Sequence, residues 1–300
     1  MAIVTPQMLA ALFTGFNGAF QRAQTDTPTS WQKIATEVPS TTKSNTYGWL
    51  GQFPKFREWV GDRVFNDMKA HGYTITNKDW ESSVSVKRTD IEDDEVGVYM
   101  PMFTEMGRAS TTQPDELVFE LLKAGLTTLC YDGQNFFDTD HPVYPKVDGT
   151  GAATAVSNLD SGGAAGAPYW YLMDTTRALK PLIFQNRKKA VLTSMTKLDD
   201  EGVFTSNVFR FGADSRNNVG FGFWQLAYAS NQPLTPENYG KARAALKAMQ
   251  ADGGRPLGIV PNLLIVPPAL EAAGRSILVK DKDGGNEWAG TAELLDPAWL

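Results

Sequence analysis

Residues 80–125 read WESSVSVKRTDIEDDEVGVYMPMFTEMGRASTTQPDELVFELLKAG, and the fold turns on this stretch. It opens as a strand: Val84 and Val86 alternate with Ser83, Ser85 and Lys87. Together with Tyr73–Thr76 just upstream, Trp80–Thr89 predicts a hairpin-like pair. So polar a pair buries little within its own chain, and isolated hairpins are marginal, so another surface is expected to hold it. An acidic run follows, Asp90, Glu92, Asp93, Asp94 and Glu95, whose carboxylates complement the dipole of a helix starting after it. Tyr99, Met102, Phe103, Met106, Leu117, Leu121 and Leu122 then set a long helical pattern. Pro101 suits a first turn, whereas Pro114 falls inside and is expected to kink or divide the helix. Roughly 30 residues of helix would run about 45 Å, the length of a structural spine.

Upstream, Thr5 and Pro6 start a helix with Leu9, Leu12, Phe13, Phe16 and Phe20 on one stripe. Residues 21–48 are polar and without period, so the segment is either an arm reaching elsewhere or a helix packed on its own domain. Pro54 predicts a second helix carrying Phe56, Trp59, Val60, Val64 and Met68, stopped by Gly72. Downstream, residues 148–168 are small and almost free of large apolar groups, the composition of a mobile surface loop. Strands are expected near Leu182–Gln185, Ala190–Thr193, Val203–Phe211 and Val219–Ser230. Thr235-Pro236 opens a helix with a Leu234–Tyr239 staple and Tyr239, Ala242, Leu246 and Met249 on one face. Gly253-Gly254 ends it, residues 257–266 read as a buried strand, and Pro268 opens a further helix.

Composition sets bounds. The 300 residues carry 28 Lys+Arg against 34 Asp+Glu, a net charge of −6, with 42% hydrophobic and 21% charged residues. That is ordinary for a soluble globular chain with a sizeable core. One cysteine, Cys130, excludes an internal disulfide framework, and two histidines, His71 and His141, leave few ligands for zinc. The first residues lack the basic start of a secretory signal. The apolar stretch Leu257–Leu270 is interrupted by Pro261, Asn262, Pro267 and Pro268 and is too short to span a membrane. The acidic balance argues against nucleic-acid binding as the main task, since phosphate affinity needs clustered cations. A soluble intracellular protein is the expectation.

No phosphate-cradling, nucleophile-elbow or H-E-x-x-H motif is present, and Gly149–Thr154 lacks the third glycine of a dinucleotide loop. Asp138, Asp140 and His141 offer a metal or acid–base set, against the plainer reading of two turns whose carboxylates take backbone N–H groups. The acidic run reads as a helix entry or a contact to a basic partner. The trio Arg187-Lys188-Lys189 reads as a solvated strand end, or as a contact to phosphate or to a neighbour's carboxylates. Cys130 reads as a small buried hydrophobe. No catalytic, cofactor-binding or metal residue is assigned, and no cofactor is expected.

Several strings occur in order: WESSVSV (80–86), DIEDD (90–94), PDELV (114–118), YDGQNFFDTDHP (131–142), KPLIFQ (180–185), NVGFGFWQLA (218–227), GGRPLGI (253–259), VPP (266–268) and NEWAGTAEL (286–294). Together they resemble the Mu-like phage major head subunit family, gpT, over most of the chain. The resemblance implies an α+β fold of the Hong Kong 97 type found in tailed-phage major capsid proteins, with an N-terminal arm, an extended β-hairpin loop, a peripheral domain on a long spine helix, and an axial domain. The corresponding segments are 1–52 for the arm, 53–97 for helix and extended loop, 98–232 for the peripheral domain with flexible loop 148–168, and 233–300 for the axial domain. Because the chain ends soon after the axial segments, strands within 169–230 are expected to supply the peripheral sheet in a permuted order. The resemblance also implies self-assembly into hexamers and pentamers of an icosahedral shell around double-stranded DNA. Scaffold, portal and decoration proteins are further partners, with no membrane, in the virion capsid and, during assembly, the host cytoplasm. Leu9, Phe13, Phe16, Trp80, Val84, Val86 and Arg88 are the expected intersubunit contacts. The alternatives are an encapsulin-like nanocompartment shell, or a carboxylate-dependent metal hydrolase using Asp138, Asp140 and His141.

Overall fold

The computed structural model describes residues 5–51, 53, 72–93, 95–147, 149–197, 199–279 and 285–300. The helix expected from Pro54 to Met68 lies outside them. Helix α1 (Pro6–Asp26) starts where its grammar says: the Thr5 hydroxyl accepts the Met8 N–H at 3.2 Å, ahead of Pro6. Strands β1 (Ala35–Pro39), β2 (Ser44–Thr46), β3 (Thr74–Thr76) and β4 (Lys78–Lys87) follow. Then come α2 (Arg88–Glu92) and the spine α3 (Met100–Ala124). Next are β5 (His141–Val143), β6 (Thr154–Val156), β7 (Leu159–Asp160), β8 (Trp170–Met173), β9 (Leu182–Met195), α4 (Glu201–Ser206) and β10 (Val208–Phe221). The chain closes with β11 (Ala227–Ser230), α5 (Pro236–Lys247), β12 (Gln250–Ala251), β13 (Arg255–Pro256), β14 (Leu263–Ile265), α6 (Glu271–Leu278) and β15 (Glu293–Leu295). No helix among the described residues is long and apolar enough to cross a membrane.

Two sheets organise the molecule. One runs β1-β9-β10-β4, with β1 parallel to β9 and the other pairs antiparallel. The other runs β15-β14-β8-β11-β7. Each has its own core. Phe16 of α1, Phe103 of α3 and Phe211 of β10 meet in the smaller one: the Phe16 and Phe103 rings stack at 4.1 Å and Phe211 sets its edge against both. The larger core fills the space around the five-stranded sheet with residues such as Trp170, Leu172, Leu226, Leu264 and Leu246. Helix α3 and the paired β9 and β10 pass through both: Phe103 and Met106 serve the small core, Val118, Phe119 and Leu122 the large one. Leu192 and Phe209 likewise serve the small core, Leu182 and Phe221 the large one.

The helices crossing at Gly107 have no room for a side chain, because a Cβ there would run into the Phe20 carbonyl oxygen. The spine runs unbroken for 25 residues, about 37 Å, with Pro114 inside it. Next to that proline, buried Asp115 accepts the N–H groups of Ser30 at 3.0 Å and Trp31 at 2.6 Å, tying the spine to the segment after α1.

Four expectations are corrected. Strands β3 and β4 do not form a hairpin. Only Asn77 separates them, too few residues for a turn. Asn77 is buried, donating to Ser40 Oγ and the Thr42 carbonyl and accepting from Gln185. Strand β3 therefore pairs with β2, while all ten residues of β4 pair with β10 of the same chain. Residues 203–206 are helical rather than extended, because Asp200 opens a turn of helix that Asn207 closes in the left-handed conformation. The stretch 148–168 contains strands β6 and β7 and fully buried Asn158, whose side chain donates to the Phe136 and Trp224 carbonyls and accepts the Asp138 N–H. One asparagine thus fixes what composition read as mobile. Finally, 169–230 is not one block. Residues 182–221 join the sheet of β1 and β4, but β8 and β11 join β14 and β15, so a boundary between 232 and 233 cuts through a sheet.

Candidate assembly surfaces

Of the seven expected contact residues, three are consumed inside the chain. Phe16 and Val86 are fully buried and Leu9 nearly so, all in the small core. The helical stripe was real, but the surface it needed was α3 and the sheet of its own chain. Phe13, Trp80, Val84 and Arg88 keep partial exposure. Trp80 Nε1 donates to the Asn217 carbonyl at 3.3 Å, and Arg88 pairs with Glu92 at 2.9 Å, one helical turn on.

The acidic run is partly spent as well. Asp90 accepts the Tyr99 hydroxyl, Glu92 holds Arg88, and Asp93 is exposed. Asp94 lies outside the described residues. The basic trio sits in β9 where its register with β10 shifts, between the pairs Val191–Asp214 and Asn186–Asn217. All three cations are exposed, and Lys188 binds Asp214 across the strands.

The feature that sequence reasoning missed is the far end of the β9–β10 hairpin. There α4 presents Phe204 at 86% exposure, beside exposed Asp199 and Glu201. The caps Asp200 and Asn207 were the legible signal for this helix. An aromatic held outward at a hairpin end has no role in its own core.

The suspected catalytic set does not assemble. His141 turns its Nδ1 to Asp132 at 2.7 Å and stacks on Trp224 at 3.9 Å, fully buried. Asp138 instead accepts the Asn135 and Thr139 N–H groups, as a turn residue does. Slight burial would raise its carboxyl, but these donors hold it below the ordinary value, while the neighbouring Asp138 raises Asp140. Cys130, Asp132 and His141 do offer three donor atoms within 4.8 Å of one another, a set that could hold a metal ion. They are already engaged: Asp132 accepts from Cys130 Sγ at 3.1 Å, from the His141 ring and from the Gln134 N–H. Burial works to raise the Asp132 carboxyl, yet these three bonds outweigh it and lower it. Burial, with Asp132 adding to it, pushes the Cys130 thiol well up, so it stays protonated. A cation would have to displace both the thiol and the imidazole hydrogen bonds. The set reads as a hydrogen-bonded clasp between the turns at Asp132 and Pro142.

A spine helix crossing two cores, a sheet shared between distant segments, and exposed groups gathered on an extended hairpin rather than in a cleft define the tailed-phage capsid proteins of the Hong Kong 97 type, an α+β fold. Comparison with known proteins narrows this class. Residues 9–300 match the family described as Mu-like prophage major head subunit gpT. The chain is 48% identical over 305 residues to the major capsid protein of Escherichia phage Mu, covering 99% of this chain and 100% of that protein. It is 50% identical over 283 residues to the Mu-like prophage FluMu major head subunit of Haemophilus influenzae, covering 94% and 92%. Among solved structures, it superposes on a chain of the bacteriophage JBD30 procapsid with TM-score 0.86 and 55% identity, covering 99% and 100%. Against the JBD30 capsid decorated with minor capsid protein trimers the TM-score is 0.75. The chain belongs to the Mu-like major head subunit gpT family. It is a structural protein of the virion capsid, a subunit of the phage head shell, and not an enzyme.

Proposed function

We propose that copies of this chain associate as hexamers and pentamers and close an icosahedral shell around double-stranded DNA. The observation that carries this is the end-to-end correspondence with a procapsid chain at TM-score 0.86. In this reading α1, α3 and the four-stranded sheet form the peripheral part, and the five-stranded sheet with α5 and α6 forms the axial part. Phe13, Trp80, Val84 and Arg88 supply intersubunit contact from the part of their surface left exposed. The net charge of −6 suits a container whose wall must not grip packaged phosphate. Decoration by a minor capsid protein, as the JBD30 homologue carries, fits the same shell. The test is cryo-electron microscopy of particles from a lysate in which this chain supplies the head. Icosahedral shells with five- and six-fold capsomers filled with DNA are the expected result; particles without that symmetry overturn the proposal.

A further inference from the structure

The β9–β10 hairpin carries two complementary surfaces that cannot meet within one chain. At its end, Asp199 and Glu201 are exposed without an ion-pair partner among the described residues, and Phe204 projects beside them at 86% exposure. In its middle, Arg187 and Lys189 are exposed, likewise without an ion-pair partner among the described residues, and Val191 two positions on is 52% exposed. The first surface offers two anions and an aromatic ring, with exposed Lys197 two positions before Asp199 and the Arg210 guanidinium against Gly202 of α4; the second offers two cations and an aliphatic patch. From Lys189 to Met195 the strand runs about 20 Å while paired to β10, which holds the two surfaces apart. Beyond Asn186, β9 has no strand on its other edge among the described residues, because β1 ends there at Pro39. Lysines on such an edge discourage strand addition, so contact there is made by side chains.

We propose that in the assembled shell the hairpin end of one copy docks on the cationic stretch of a second copy's β9, Phe204 against Val191 and Asp199 and Glu201 against Arg187 and Lys189. The proposal rests on the capsid reading above. Such a contact uses different surfaces on the two partners, so it is head-to-tail and must close into a ring or keep growing. In a closed shell it closes.

Charge reversal with rescue tests it, in a lysate where this chain supplies the head and the unmodified chain reports on the capsid reading itself. Arg187→Glu with Lys189→Glu is expected to cut the yield of closed shells by about tenfold, and Asp199→Lys with Glu201→Lys by a similar factor. The four changes together are expected to restore the yield. Normal yield from either pair alone overturns the proposal, as does failure of the fourfold variant when circular dichroism shows it folded. Normal shells that hold less DNA assign the cations to phosphate instead, and overturn it too. An independent readout is Val191→Cys combined with Phe204→Cys, oxidised in assembled shells. A ladder of linked copies, absent from either single cysteine variant, is expected; assembled shells of the double variant without a ladder reject the contact.

Discussion

Asp115 shows how much one side chain in the spine decides. It is buried, and it takes the N–H groups of both Ser30 and Trp31. Burial raises its carboxyl above the ordinary value even though those donors act to lower it. Ionisation therefore costs native stability as pH climbs from the ordinary carboxylate range through the raised value. Asp115→Asn keeps an acceptor without the charge, so its stability profile between pH 3 and 7 should be flatter than that of the unmodified chain. Asp115→Ala leaves two donors unmet and should cost about 1–3 kcal/mol by thermal or denaturant unfolding. Asp132 has the opposite sign: its carboxyl is lowered, so its share of stability is present at neutral pH and fades as pH falls through the lowered value. Cys130, protonated and buried, should ignore thiol reagents in the native protein and react once it is unfolded. At this scale the sequence was readable for Cys130 as a buried hydrophobe and for Asp138 as a turn residue. The partner of His141 was not, because nothing in the spacing of Asp132, Asp138 and Asp140 says which carboxylate the ring will face.

Helices declared their ends and hid their partners. Thr5-Pro6 and Thr235-Pro236 both start helices where local chemistry requires, and the Thr235 side chain accepts the Asn238 N–H. Local rules suffice there because a cap is satisfied within a few residues. Strand β4 is the contrary case. Its alternation was visible, but the strand that holds it lies at 208–217, more than a hundred residues away. Helix α1 was likewise legible as amphipathic, and its identity as arm or core was not. The structure makes it core, which changes the expected outcome of removing it. Deleting residues 1–26 should bare Phe103 and Phe211 and yield aggregated or thermally weakened protein, whereas loss of a free arm would leave the fold intact and reduce only shell formation. The α1–α3 crossing gives a gentler test. Gly107→Ala places a methyl group against the Phe20 carbonyl and should destabilise by about 1–3 kcal/mol, read as a lowered Tm.

Across the whole molecule, the class was legible because scattered strings kept their order over most of the chain, while the division into parts was not. Sheet membership depends on pairings such as β1 with β9 and β8 with β14, which no local window contains. The charge pattern belongs to this scale too. If copies meet through the exposed ions of the hairpin, shell assembly should weaken as salt rises from about 0.1 M towards 1 M, where the screening length shrinks from about 10 Å to about 3 Å. Light scattering across that range measures it, and a flat response would leave apolar contact as the main cement. The elements that thread both cores have a mechanical consequence. Strands β9 and β10 are hydrogen-bonded along their length, β1 and β4 flank them, and α3 runs through the same two cores. A force stretching the subunit along these strands loads the ladder in shear, so that many bonds must fail together rather than one after another. A wall in which these strands run along the shell surface would carry the outward pressure of a tightly packed genome along the subunit's strongest direction.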